Sequence, residues 1–409
     1  MRVLGLLALA ACQDQSGTIE LGLTTAPGST VLDAVERLRV TITEPRDVFE
    51  TVRTETGFHL DLDVEATGLP GKLIVEGFAG DALVATGMSP PFAVSGIDAK
   101  IVVYMAAPMS IEPAPAALSP AREFSAAGSL TYGAILVGGR DPTTGTARAD
   151  VTVYNAYLHA VTAGLPLPAP RLGPALAIGS DDAVYLFGGL DANGNTTGTL
   201  WRFDTSIPPN GAYSLLADEP AQARTNERMV PLGLDRFLIT GTPILEVDRE
   251  MLTTRTELPS LPQGGAGVVG PDGVPAAVFA GTTGITRFRD NAFGLVSADS
   301  RGDARAVTLP DRTILVAGGS TDAVRVDVVT GALTAVPGFL PITCPDPELA
   351  ATTRHVVVSC GTEVFIHDAA SLQLLATLPS AGTSLAALPT DQVLMLRGSE
   401  LALFTPPPP

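Results

Sequence analysis

A short apolar strand that ends in glycine recurs seven times along most of this chain. Its closing residues are Gly139, Gly189, Gly241, Gly281, Gly319, Gly361 and Gly398, and the steps between them are 50, 52, 40, 38, 42 and 37 residues. A second strand follows each mark and usually ends in an acid or amide: Asn155, Asp204, Asp248, Asp290, Asp327 and Asp368. The last copy, from Leu401 to Thr405, has lost the acid. A third strand often ends near proline, at Pro259, Pro337 and Pro379. Arg122, Arg171 and Arg224 stand 17, 18 and 17 residues ahead of the first three marks. Self-similarity at such a period means that each unit is one supersecondary module that buries its faces against its neighbours. Glycine suits a strand end where φ is positive or a neighbouring backbone comes close. Asp or Asn can turn the chain by bonding to its own backbone.

Seven units with room for four short strands each are the pattern of a seven-bladed β-propeller over residues 121–405. The order Arg, Gly-Gly, Tyr/Phe-Asp/Asn resembles kelch repeats. Copies one, two and five match best. Copies three, four, six and seven keep one glycine of the pair, and the tryptophan of the kelch pattern is absent where expected. The seventh copy ends at Thr405, before a fourth strand. A segment within residues 108–118 could supply that strand and remove an exposed edge.

Composition agrees with an all-β chain. Of 409 residues, 42 are Gly and 34 are Pro, which leaves little room for long helices. A 45% apolar content is enough to bury real cores. The 25 Lys+Arg against 43 Asp+Glu give a net charge of −18, which argues against a nucleic-acid partner.

The first residues, Met1-Arg2 and then an apolar run to Ala11, read as an export signal. Leu9-Ala10-Ala11-Cys12 resembles the lipobox of bacterial lipoproteins. That resemblance implies cleavage of residues 1–11 and acylation of Cys12, with 12–16 as a lipidated tether. Gln13 after Cys12 resembles an outer-membrane address, so the expected location is the bacterial cell envelope, anchored by lipid. No other stretch reaches about 18 consecutive apolar residues, the length a membrane helix needs.

Residues 17–107 alternate apolar and polar with a period of two, as in Leu38, Val40, Ile42 and in Leu60, Leu62, Val64. Six or seven short strands in this span read as a β-sandwich of immunoglobulin or prealbumin type. His59, Asp61 and Asp63 share a strand face, which alternation explains as a solvated surface. Residues 108–120, rich in proline, read as a stiff linker, and 406–409 as a proline tail.

With Cys12 set aside, Cys344 and Cys360 form an even pair in an exported chain, which favours a disulfide. No metal or cofactor is expected: the four histidines fit no zinc spacing, and no nucleophile elbow or phosphate loop appears. Asp191, Asn193 and Asn195 alternate like a calcium loop but lack its terminal Glu, and read as an ordinary blade loop.

Three functions stay open. The leading one is a membrane-anchored, non-catalytic scaffold whose propeller binds a protein or glycan. The second is an enzyme of the galactose-oxidase kind, which also pairs a sandwich with a kelch-like propeller. The third is a purely structural envelope protein. For a binding role, Arg122, Arg171 and Arg224, with Arg301 or Arg305, would form a basic arc around one mouth of the ring. The alternative for these arginines is that each pairs with an Asp of a neighbouring blade and only tiles the ring.

Overall fold

The computed structural model describes residues 16–55, 58, 63–65, 68–93, 99–208, 210–380 and 382–409. Seven four-stranded antiparallel sheets dominate it. Six are simple meanders, spanning residues 126–163, 175–218, 229–255, 264–297, 305–336 and 348–379. The seventh takes three strands from 384–405 and its fourth from Ser110–Pro113, which runs antiparallel to Glu400–Thr405 with Ile111 opposite Phe404. The stretch read as linker therefore contributes a strand to the last blade. The inner strand of each blade touches that of the next, and the inner strand of the seventh touches that of the first. The ring is closed.

The glycine-marked strand is the second strand of each blade. It is buried on both faces, as in Gly133–Val137 and Val184–Phe187. Ala134 and Leu136 pack toward Leu394 and Leu396 of blade 7, while Ile135 and Val137 pack toward Val184 and Leu186 of blade 2. Two-sided burial is why these strands read as unbroken apolar runs. Each such Val, Leu or Ile contributes about 1.5–3 kcal/mol when buried.

The Gly-Gly pairs are joints between blades. Gly138 and Gly139 have φ of 60° and 100°, and a Cβ at Gly138 would lie 2.3 Å from the Arg171 carbonyl oxygen. The Gly139 N–H donates to that same carbonyl at 2.9 Å, and Gly189 donates to the Arg224 carbonyl at 2.8 Å. Main chain of the segment entering one blade is thus clamped to the preceding blade, at a separation that only glycine permits.

Ahead of the ring lie three further sheets among the described residues, one of them only the short pair Pro70–Gly71 and Phe92–Ala93. Ser16–Thr24 pairs in parallel with Ala99–Tyr104 and antiparallel with Asp63–Glu65. Arg37–Thr43 pairs on one side with Arg46–Val52 and on the other with Leu73–Ala79, which pairs in turn with Ala82–Met88. Leu38, Val40 and Ile42 from the second sheet share one core with Ile101 and Val103 from the first.

This N-terminal unit sits on one end of the ring. Lys72 Nζ lies 3.7 Å from Asp391, in the turn between the inner and second strands of blade 7. Val102 N–H donates to the Tyr157 carbonyl at 2.9 Å, and Tyr157 Oη donates to the Pro91 carbonyl at 2.6 Å. Tyr157 is in the turn between the third and outer strands of blade 1. In an antiparallel meander these two kinds of turn share one end of the sheet, so the opposite end of the ring faces away from the N-terminal unit.

Candidate functional site

At that opposite end the inner strands leave a channel whose mouth encloses about 760 Å³. Its wall comes from the segments that enter the inner strands and from the loops between second and third strands. Arg140, Arg228 and Arg305 line it, and so do Glu227, Asp346 and Glu348. On a chain of net charge −18, a mouth with three arginines against three acids is charge-balanced where the rest of the chain is acidic.

Arg228 Nη2 donates to Glu348 Oε1 at 2.5 Å. Arg228 immediately precedes the inner strand of blade 3, and Glu348 begins that of blade 6. These blades are not neighbours in the ring, so the ion pair crosses the channel. Arg305, the first residue of the inner strand of blade 5, pairs with Asp346 on the way into blade 6. Burial first, and then the nearby Arg228 charge, push the Arg305 guanidinium below its ordinary value. Its Nε is buried and has no hydrogen-bond partner among the described residues. Across the mouth, Arg140 pairs with Glu123 at 3.0 Å and lies 4.5 Å over the ring of Phe124. Phe124 is 43% exposed and is the one aromatic ring in the described wall.

Of the arginines expected to form an arc, only Arg305 reaches the wall. Arg122 is completely buried. Its guanidinium donates to Thr152 Oγ1 at 2.7 Å, Ser125 Oγ at 3.1 Å and the Leu136 carbonyl at 3.2 Å, and burial pushes it down to about 10. Arg171 donates to Thr199 Oγ1 at 2.8 Å, and Arg224 to the carbonyls of Pro243 and Thr240 at 2.7 and 3.0 Å. Arg301 donates to the Asp322 carbonyl at 2.7 Å. Arg122, Arg171, Arg224 and Arg301 bond within their own blades, and Arg305 alone of the set lines the mouth and pairs with an Asp of the next blade. At Arg171 and Arg224 the main chain is also held by the preceding Gly-Gly joint, so the side chain and the backbone of one residue bond to different blades.

Arg228 and Glu348 were not legible as a pair, being 120 residues apart. A signal existed all the same. Arg228, Arg305 and Glu348 stand thirteen or fourteen residues ahead of Gly241, Gly319 and Gly361, so that column of the repeat faces the channel.

The other candidate residues fall elsewhere. Cys12, His59 and Asp61 lie outside the described residues, as does the side chain of Asp63. The sulfurs of Cys344 and Cys360 are bonded, joining the segment that enters blade 6 to the end of its second strand. His159 is buried with Nδ1 2.7 Å from Tyr154 Oη, His367 stacks on Phe339 at 3.9 Å, and His355 packs edge-on to Phe404. Asp191 Oδ1 accepts the N–H groups of Asn193 and Asn195 at 2.8 and 2.9 Å. Those bonds, Asn195 first, hold its carboxyl below the usual range and shape the loop as a turn between two blade strands. No group of three metal-ligating side chains occurs among the described residues.

The fold and this mouth define a β-propeller. No family model matches the sequence, and no curated protein does. Among solved structures the chain is similar to a streptogramin B lyase, with a TM-score of 0.53 and 10% identity over 72% of this chain and 96% of that one. At that identity the likeness is one of fold alone.

Proposed function

We propose that this chain is a lipid-anchored protein of the bacterial envelope whose kelch-like propeller binds a protein or glycan partner at the channel mouth without transforming it. The observation that carries this reading is the placement of the N-terminal unit on one end of the ring, which leaves the charged mouth at the other end free. The unit follows the lipobox-like segment in sequence, so it would act as the spacer between membrane and ring. The wall offers guanidinium, carboxylate, amide and hydroxyl groups, and among the described residues it contains no imidazole, thiol or phenol. Its arginines pair with acids, as in Arg228–Glu348, and such a set of charged donors and acceptors suits recognition of a charged partner. With one face of Phe124 taken by Arg140 and no second aromatic ring in the described wall, the wall suits a charged protein segment better than a sugar that needs stacking.

Two measurements test the reading. Acyl chains contribute about 0.8 kcal/mol per buried CH₂. The wild-type chain should therefore fractionate with membranes and Cys12→Ser should not; equal fractionation removes the lipid anchor. A photo-crosslinking residue in place of Phe124 should yield a discrete adduct in intact cells, whereas the same group in place of Leu295, on the outer strand of blade 4, should not. Equal labelling at both positions removes the mouth as the binding face.

A further inference from the structure

We propose that Arg305 and Arg228 form an oxyanion site in the mouth, which takes a carboxylate or phosphate group of the ligand in place of Asp346. The inference deepens the mouth reading and rests on it. Arg305 is held in place: its side chain is 14% exposed, at the start of an inner strand whose backbone is paired through Arg305 itself to Ala317. Its present partner is not held. The Asp346 side chain is 69% exposed and projects from an irregular segment. A rigid, desolvated guanidinium facing a solvated carboxylate is a site in which the counter-charge is the replaceable member.

Donor accounting points the same way. A guanidinium carries five N–H groups, and the Nε of Arg305 is buried beside the cavity with nothing to bond among the described residues. Leaving such a donor unmet is costly, and two oxygens of a carboxylate or phosphate that engage Nε together with one terminal nitrogen would satisfy it by the side-on geometry arginine favours. The second arginine strengthens the case. Arg228 is close enough for its charge to act on Arg305. Its cross-channel bond to Glu348 keeps it at the mouth, and its side chain is 40% exposed. An anion that displaces Asp346 would face the guanidinium groups of both Arg305 and Arg228, with Arg228 still paired to Glu348.

Calorimetric titration of the purified full-length chain with inorganic phosphate, and separately with succinate, tests this. Saturable binding is expected for at least one probe, and the tighter of the two assigns the group. Asp346→Asn removes the competing carboxylate and should tighten that binding about fivefold. Arg305→Gln should abolish it and Arg228→Gln should weaken it about tenfold, while Arg301→Gln leaves it unchanged. The gain expected from Asp346→Asn cannot be produced by misfolding, which keeps the test decisive if Arg305→Gln proves unstable. Absence of saturable binding by both wild type and Asp346→Asn overturns the inference, as does binding that Asp346→Asn leaves unaltered or weakens. If neither probe binds while the adduct at position 124 persists, the oxyanion site is wrong and the mouth reading stands.

Discussion

Arg122 is a fully buried charge with no carboxylate against its guanidinium among the described residues. It survives because hydroxyls and carbonyls of its own blade take its donors, tying the entry segment to the second and third strands. Replacing it leaves the Leu136 carbonyl and the Thr152 hydroxyl short of partners in a dry place. Arg122→Met should therefore cost about 3 kcal/mol, whereas Arg301→Met, nearer the surface, should cost under about 1 kcal/mol. Urea unfolding midpoints of the two variants check this; similar midpoints would show that Arg122 is not structural. The residue scale also explains why the arginine and glycine marks recur at one spacing. The main chain at Arg171 and Arg224 bonds to a glycine of the preceding blade, and the side chain bonds within its own. One residue thus joins two blades, and binding need not be invoked for the repeat.

Two features fix blades beyond their meander hydrogen bonds. The strand Ser110–Pro113 completes blade 7, and Ile111 packs into the core that also holds Phe404 and Val393. Ile111→Asp places a charge in that core and should cost about 2–4 kcal/mol, read as a lower melting temperature. An unchanged transition would mean that the ring holds without this strand. The Cys344–Cys360 bond spans 16 residues within blade 6. In the chain-entropy account it stabilises by about 3 kcal/mol. Replacing both cysteines by alanine should lower the urea midpoint accordingly, and peptide mapping without reductant should find the bonded pair in wild type. Two free thiols there would remove the bridge. Both elements were legible in outline. The missing fourth strand of the last copy pointed to residues 108–118, and an even cysteine pair behind a segment that reads as an export signal pointed to a bond. The partner strand and its register depended on the ring closing, which is a property of all seven blades.

The whole molecule carries a signature in its pH dependence. Burial pushes His159 down to about 3 and His367 down to about 4. His159 lies among Tyr154 and Tyr104, whose hydroxyls burial pushes up, so no charge nearby rewards protonation. In the unfolded chain a histidine titrates near 6.5. Below that pH the unfolded state takes protons that the folded state refuses. Stability from these two groups is complete above about pH 6.5 and falls as the pH drops toward 4, at about 1.4 kcal/mol per pH unit for each. His159→Gln should flatten the fall between pH 6.5 and 4.5 by about that slope, measured by urea unfolding at a series of pH values. An identical slope in the variant would mean that His159 accepts its proton in the folded protein. His159 is also part of how the two units meet. Tyr104, at the end of the last N-terminal strand, is fully buried with Tyr154, Leu394 and Leu401 of the ring.

The all-β architecture was determined by sequence alone, because apolar period, glycine marks and turn residues are local and each follows from backbone geometry. The period also divided the ring into seven units before any contact was known. Which side chains face the channel was decided only in three dimensions. Arg228 and Glu348 come from blades on opposite sides of the ring, and no local rule relates residues whose only connection is the circle between them. The arginines that the repeat made conspicuous, Arg122, Arg171 and Arg224, turned into their own blades. The strongest periodic signal comes from what every blade needs in order to stack, whereas a site on the axis is built from what makes one blade differ from the next.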